Sequence, residues 1–159
     1  MIRKGDHGRA TVSMVERDAA GVVESMSVVR RPPDVRFEFE HDQHAPRRAR
    51  EAVARLVSDP GDPIAGDVEL TVSELVTNVV RHTRHGGLLE AWDPKPDVPL
   101  RLEVSDSDPS PVIQVAGSAL GGHGLHIVES IADSWGVNPT ARGKTVWAEF
   151  DRKARRAAQ

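Results

Sequence analysis

Two polar side chains on a predicted helix are the first candidates for chemistry. Glu74 and Asn78 are four positions apart, so on a helix they share one face and lie one turn from each other. His82 continues this polar stripe by a further turn. The amide oxygen of Asn78 suits Mg²⁺, which prefers oxygen ligands, and the carboxylate of Glu74 could deprotonate a nucleophile beside it. The alternative is the ordinary solvated face of an amphipathic helix.

Two further positions have the residue types of a nucleotide pocket. Asp106 ends a strand-like run, where its carboxylate could accept a hydrogen bond from the exocyclic amine of adenine. An ordinary turn residue is the alternative there, because aspartate is common where strands end. Gly122 and Gly124 precede a predicted helix, and glycines beside a helix N-terminus let backbone N–H groups approach a phosphate. A flexible loop before a helix would have the same residues.

Two other motifs do not support the chemistry that they first suggest. The run Gly143-Lys144-Thr145 resembles the end of a phosphate-binding loop, but Asn138 stands where that motif needs its first glycine, and a strand-like run follows instead of a helix. Two histidine pairs have spacings seen at zinc sites: His41 with His44, and His82 with His85. Without a cysteine or an HExxH motif beside them, solvated surface histidines are the favoured interpretation.

Hydrophobic periodicity predicts the elements that position these residues. Strands are predicted over residues 35–39, 88–92, 100–105 and 145–150, and helices over residues 45–58, 64–83 and 124–132. Residues 106–122 are predicted to form a loop, and residues 152–159 a basic tail that is frayed or helical. Residues 1–34 are predicted to be a mobile extension, disordered over its first twenty residues and with a candidate strand over residues 21–29. This order predicts an α+β sandwich with the helices on one face of an antiparallel sheet.

Composition limits the class of protein. A length of 159 residues fits one domain, and 38% apolar residues with only 4% aromatics predict a core built from valine, leucine, isoleucine and alanine. A formal net charge of -3 argues against nonspecific nucleic-acid binding. The absence of cysteine excludes disulfides and thiolate metal sites and suits a reducing compartment. Neither a secretory signal nor a membrane-length apolar run is present, so we expect a cytoplasmic protein.

Taken in order, the motifs resemble the GHKL ATPase superfamily, which includes gyrase, MutL and the catalytic domains of histidine kinases. The segment of residues 72–82, VSELVTNVVRH, is similar to the N-box of that superfamily. The run Ala-Asp-Ser-Trp-Gly at residues 132–136, followed by Gly-Lys-Thr-Val-Trp at residues 143–147, resembles a stand-alone subgroup abundant in actinobacteria. Members of this subgroup are relatives of the anti-sigma-factor serine kinases. The resemblance covers about residues 35–150.

The resemblance implies a fold, two cofactors and a role for each motif. The fold would be a Bergerat-type two-layer α/β sandwich over residues 35–151, with helices on one face of a mixed, largely antiparallel sheet. The cofactors would be ATP and Mg²⁺, and residues 107–122 would form the ATP lid. In the implied site Glu74 is the general base and Asn78 the Mg²⁺ ligand, while Asp106 reads the adenine amine with support from Thr145 through its hydroxyl or a water. His82 is a further cofactor-binding residue, and the phosphates are bordered by Gly122, Gly124 and the Leu125 N–H.

The resemblance also implies protein partners, and two departures from the family pattern bear on activity. The partner would be a sigma factor, an antagonist of an anti-sigma factor that is phosphorylated on serine or threonine, or both; a homodimer is also expected. Residues 107–111 read SDPSP where the family often has glycines, and residues 107–122 contain no lysine or arginine. His123 or Lys144 could supply the missing cation. The departures favour the alternative of a catalytically weak ATP-binding interaction module.

A third interpretation is the catalytic fragment of a histidine kinase. Such an enzyme needs a dimerisation helix pair that carries the phosphorylated histidine, and about thirty mostly irregular residues before Val35 do not supply it. We therefore expect the kinase or the interaction module.

Overall fold

The computed structural model of the protein describes residues 2–3, 31–94, 97–108 and 123–158. Its elements in chain order are β1 (Ile2–Arg3), β2 (Val35–Phe39), α1 (Ala45–Val53), a 3₁₀ turn (Ala54–Val57), α2 (Ala65–His82), β3 (Gly87–Trp92), β4 (Leu100–Asp106), α3 (His123–Ile131), β5 (Ser134–Pro139), β6 (Lys144–Phe150) and α4 (Arg152–Ala157).

The strands form one sheet in the order β1-β5-β6-β4-β3-β2, and every pairing between these strands is antiparallel. At one end of the sheet three neighbouring strands align Gly87, Asp106 and Lys144 as direct cross-strand partners. Because side chains alternate between the faces of a strand, aligned partners project from the same face. These three residues therefore share one face of the sheet.

That face is covered by the helices and holds the hydrophobic core. In β4 the buried side chains on this face are Leu100, Leu102 and Val104. Helix α2 packs over the central strands β4, β3 and β6, while α1 packs on β2 and α3 on β5. The stripe of α2 that is buried recurs at helical spacing and consists of Val68, Thr71, Val72, Leu75, Val76 and Val79. The predicted α+β class with helices on one sheet face is confirmed.

The opposite face of the sheet is polar. Arg101 donates to Glu103 at 2.7 Å and to Glu149 at 2.7 Å, and its guanidinium lies 4.3 Å from the centroid of the Trp147 ring. Ion pairs across strands and a cation–π contact suit an antiparallel sheet with only one face in the core. This alternation explains why the strands carry both apolar and charged residues.

Helix α4 is anchored at its first residue. Arg152 is 8% exposed and donates to Asp62 at 2.9 Å and to Asp93 at 2.7 Å. Burial works against the charge of Arg152, yet its hydrogen bonds to Asp93 and Asp62, together with their charges, hold its pKa above the ordinary value. Asp151 caps the helix by accepting from the backbone N–H groups of residues 153 and 154. The C-terminal helix is therefore tied to the loops before α2 and after β3.

Most elements begin and end within a residue or two of their predicted bounds, but two strands were not predicted. Strand β5 contains Gly136 and Pro139, which disfavour strands, and pairing with β6 stabilises it. Gly136 leaves space for the Trp147 ring, which a Cβ at residue 136 would approach to 2.9 Å. Ile2–Arg3 pairs with β5, a partner that is distant in sequence.

The candidate strand at residues 21–29 and nearly all of the predicted lid lie outside the described residues. The domain boundaries at residues 34/35 and 151/152 stay predictions. None of the helices in the described ranges combines the length and the apolar character that crossing a membrane requires.

Candidate functional site

Helix α2 positions Glu74 and Asn78 at the flank of the core. The apolar stripe of the helix faces the sheet, so the two polar side chains are left partly buried beside it. Both side chains face the first turn of α3, as their contacts with Gly124 show. The predicted pairing of the carboxylate and the carboxamide on one helix face is therefore present at a junction between two helices.

Gly124 is the point of contact between α3 and this polar pair. A Cβ added at Gly124 would lie 2.8 Å from Glu74 Oε2, 3.3 Å from Asn78 Nδ2 and 3.5 Å from Asn78 Oδ1. A glycine therefore lets the backbone of α3 rest on both side chains in their present positions, whereas a Cβ would displace the Glu74 carboxylate. The other end of α3 lies near the start of α2, since Arg155 binds both the Asp67 carboxylate and the carbonyl of Ile131.

The contact at Gly124 places a helix N-terminus beside a carboxylate and an amide. The first turn of a helix has backbone N–H groups without helical partners and the positive end of the helix dipole, both of which favour an anion. Here that turn adjoins a carboxylate and an amide oxygen, which are ligands that Mg²⁺ prefers. The donor set therefore fits a phosphate group bound together with a magnesium ion. Leu125 is buried in this turn, while Gly122 and the side chain of His123 lie outside the described residues.

Asp106 takes part in a largely buried ion pair. Its Oδ1 accepts from Lys144 Nζ at 3.1 Å and from the backbone N–H of Asp108 at 2.9 Å. The side chains of Asp106 and Lys144 are 6% and 16% exposed. Lys144 Nζ also donates to the carbonyl of Asp108 at 3.1 Å. The carboxylate predicted to read adenine is thus oriented by a lysine that was not among the predicted site residues.

Two glycines bring this ion pair close to α2 and to the turn before β6. Gly87 lies opposite Asp106, and a Cβ added there would lie 3.2 Å from Val79 Cγ1 in α2. Val79 directly follows Asn78, so the end of the sheet that carries Asp106 lies under the same part of α2 as the magnesium candidate. Gly143 packs against the backbone of residues 106 and 107, where a Cβ would overlap the main chain.

The Thr145 hydroxyl pairs with Ser105, so the predicted support of Asp106 by Thr145, through its hydroxyl or a water, stays a prediction. Thr145 is the cross-strand partner of Ser105, and their hydroxyl oxygens are 2.8 Å apart. Since neighbouring residues of a strand project from opposite faces, Thr145 lies on the polar face and Asp106 on the helix-covered face. Lys144 is the residue that lies directly beside Asp106.

Strand alternation was the signal that could have identified Lys144. In β6 the buried apolar side chains Val146 and Phe150 are an even number of residues from Lys144, and in β4 Val104 stands in the same relation to Asp106. Residues an even number apart on a strand share a face, so both charged residues belong on the core side.

The remaining predicted residue and the histidine pairs have peripheral positions. His82 is exposed in the last turn of α2. His41 Nδ1 lies 2.8 Å from the carbonyl of Thr83. Within the described ranges no three histidine, aspartate or glutamate side chains come together as a metal site. A cavity of about 530 Å³ borders Asp106 and is lined in part by Glu40, His85 and Arg142, but not by Glu74 or Asn78.

Comparisons with known proteins give a family match and a structural similarity. A family model described as "Histidine kinase-like ATPase domain" matches residues 39–150. Among solved structures, the chain is similar to the histidine kinase domain from Erythrobacter litoralis EL346 blue-light activated histidine kinase, with 20% sequence identity and a TM-score of 0.47. That match covers 70% of this chain and 65% of the other, so this chain spans about two thirds of that domain. The comparison with curated proteins gives no match.

Proposed function

The chain belongs to the histidine kinase-like ATPase family within the GHKL superfamily, and from this premise we propose that it binds ATP with Mg²⁺ between α2, α3 and the Asp106 end of the sheet. One observation carries the proposal: the N-terminal turn of α3 rests through Gly124 on both Glu74 and Asn78. This contact combines donors for phosphate oxygens with ligands for a hard cation. A solvated helix face would not need a glycine from a second helix against it.

Each residue of the site has a role in this proposal. Asn78 Oδ1 holds the magnesium ion, and the N–H groups at the start of α3 hold phosphate oxygens. Asp106 accepts a hydrogen bond from the exocyclic amine of the base. Glu74, beside the same turn, takes the proton from an attacking hydroxyl group. A bound magnesium ion would neutralise charge on the phosphates and orient the terminal phosphate.

The finer proposal is an ATP-dependent serine/threonine kinase of the anti-sigma type, acting in the cytoplasm. It would bind a sigma factor, phosphorylate an antagonist protein, or do both, and could work as a homodimer. Its support is the order of motifs along the chain and the position of the Glu74 carboxylate at the phosphate end of the site. A base in this position could activate the hydroxyl group of a partner's serine or threonine.

A second candidate is a nucleotide-dependent interaction module with weak catalysis, and the Lys144 contacts favour it. The charge of Lys144 is already balanced by the Asp106 carboxylate, so it contributes little to neutralising charge on a transferred phosphoryl group. Partner capture that follows nucleotide occupancy and survives Glu74→Gln would support this candidate. Loss of phosphate transfer to a serine-containing antagonist in the same variant would support the kinase.

Calorimetric titration of ATP with and without Mg²⁺ tests the shared part of both candidates. We expect wild-type binding to depend on Mg²⁺, and Asn78→Ala to weaken it about tenfold or more by removing the oxygen ligand. Asp106→Asn should weaken binding similarly, because one carboxylate acceptor becomes an amide donor. Glu69→Gln, an exposed change on the same helix, is the matched control and should bind normally. A folded wild-type protein that does not bind MgATP would refute the proposal.

A further inference from the structure

The ion pair between Asp106 and Lys144 leaves one acceptor and one donor side by side. Oδ1 of Asp106 is engaged by Lys144 Nζ and by the N–H of Asp108, whereas Oδ2 accepts from none of the described residues. An ammonium group has three N–H donors, and Lys144 uses one on Asp106 and one on the carbonyl of Asp108. The third N–H is not engaged within the described ranges.

The surroundings of the ion pair suit the binding of a ligand by these unused groups. Both side chains project from the helix-covered face, beneath the part of α2 that carries Asn78. They are largely withdrawn from water, so a hydrogen bond made there competes with few solvent molecules. An apolar wall of Phe39 and Val79 packs at Gly87, the residue opposite Asp106. A flat heterocycle with a polar edge suits such a position.

The donor and the acceptor on one edge of adenine are complementary to the acceptor on Asp106 and the donor on Lys144. The exocyclic amine of adenine at N6 is a donor, and the adjacent ring nitrogen N1 is an acceptor. A carboxylate oxygen can take the N6 hydrogen only, which leaves N1 desolvated and without a partner unless a donor stands beside it. In this chain the neighbouring donor is an ammonium group, which makes a stronger, charge-assisted hydrogen bond than a hydroxyl or a water molecule.

We propose that Lys144 is a base-contacting residue that donates to N1 of adenine while Asp106 accepts from N6, so that the ion pair and not the carboxylate alone reads the base. The inference rests on the proposed ATP site and deepens it. Thr145 lies on the other face, where its hydroxyl pairs with that of Ser105.

A ligand lacking N1 separates this role from a structural one. Calorimetry would compare MgATP with the magnesium complex of 1-deaza-ATP, in which a C–H group replaces N1. We expect the wild-type protein to bind the analogue about tenfold or more weakly, as for loss of a hydrogen bond to a charged donor. In Lys144→Met the analogue should bind at least as tightly as MgATP, because no donor faces the altered atom and a C–H group loses no hydrogen bond to water on burial. The Lys153→Met control, at an exposed lysine of α4, should keep the wild-type difference.

The outcomes are distinguishable. An analogue penalty as large in Lys144→Met as in the wild type would overturn the role of Lys144, because the two changes would then act independently. Failure of the folded wild-type protein to bind MgATP would refute the proposed function instead. If Lys144→Met does not fold, Lys144→Gln keeps an N–H donor and should retain part of the analogue penalty. Equal affinity of the wild-type protein for the two ligands would by itself overturn the inference.

Discussion

Replacing Gly124 by alanine should weaken nucleotide binding while leaving the protein folded. In Gly124→Ala the new Cβ would meet Glu74 Oε2 at 2.8 Å and Asn78 Nδ2 at 3.3 Å. Ordinary contact distances are about 3.5–4.0 Å, so the Glu74 carboxylate must move by about 1 Å. The obstacle is the end of a flexible side chain, which can rotate away without moving the backbone.

The substitution should leave the stability of the protein nearly unchanged but should lower its affinity for MgATP. Alanine in a helix is favoured over glycine by about 1 kcal/mol, which offsets the cost of rotating Glu74. We therefore expect the free energy of unfolding to stay within about 1 kcal/mol of the wild-type value. Displacing a reacting or ligating group by about 1 Å can cost about 100-fold in rate. MgATP affinity should fall at least about tenfold, since the new methyl group and the displaced Glu74 carboxylate would crowd the space between the Asn78 amide and the helix N-terminus.

Urea unfolding and calorimetry on the same preparations would measure both effects. Gly66→Ala is the matched control, because Gly66 lies in α2 and a Cβ there would meet nothing within 4 Å. Both variants exchange a helical glycine for alanine, but only Gly124→Ala should lose nucleotide binding. Wild-type MgATP affinity in a folded Gly124→Ala protein would refute the placement of the phosphates between α2 and α3.

Two further predictions concern the scaffold that holds the site. Arg152→Met should lower the free energy of unfolding by about 3 kcal/mol, because it leaves two aspartates without their buried partner. In urea unfolding the exposed Lys153→Met should change little, and equal effects would contradict the anchoring role of Arg152. Gly86→Ala should prevent or severely weaken folding, since its φ is +70° and a Cβ would overlap the Phe39 carbonyl. Gly61→Ala, with φ +77° and open space, should cost only about 1–2 kcal/mol, and a similar cost at both glycines would exclude the steric cause.

The elements around the site follow directly from local patterns. The apolar residues of α2 recur at helical spacing, and the polar stripe of Glu74 and Asn78 is what remains on its flank. Strand β2 alternates between buried and more exposed positions, so its period of two was recognisable. Both patterns depend on residues that are only a few positions apart in the chain, which is why one sequence suffices to predict them.

Strand β5 and the role of Arg152 depend on distant partners. Gly136 has low strand propensity, but it allows the Trp147 ring of β6 to approach the backbone. Arg152 belongs to a segment that was predicted to be a basic tail. Its partners Asp62 and Asp93 are 90 and 59 residues away in the sequence. Local propensity contains no information about such partners, since they are brought together only by the packing of the whole sheet.

The sequence by itself determined the order of the helices and strands and the face of α2 that carries Glu74 and Asn78, because side-chain periodicity is a local property of the chain. Only the tertiary structure decided which residues meet them. The approach of Gly124 depends on how α3 packs against α2, and the pairing of Asp106 with Lys144 depends on the register between β4 and β6. A shift of one residue in that register would exchange the two faces of the strand, which is why Lys144 and not Thr145 stands beside the carboxylate.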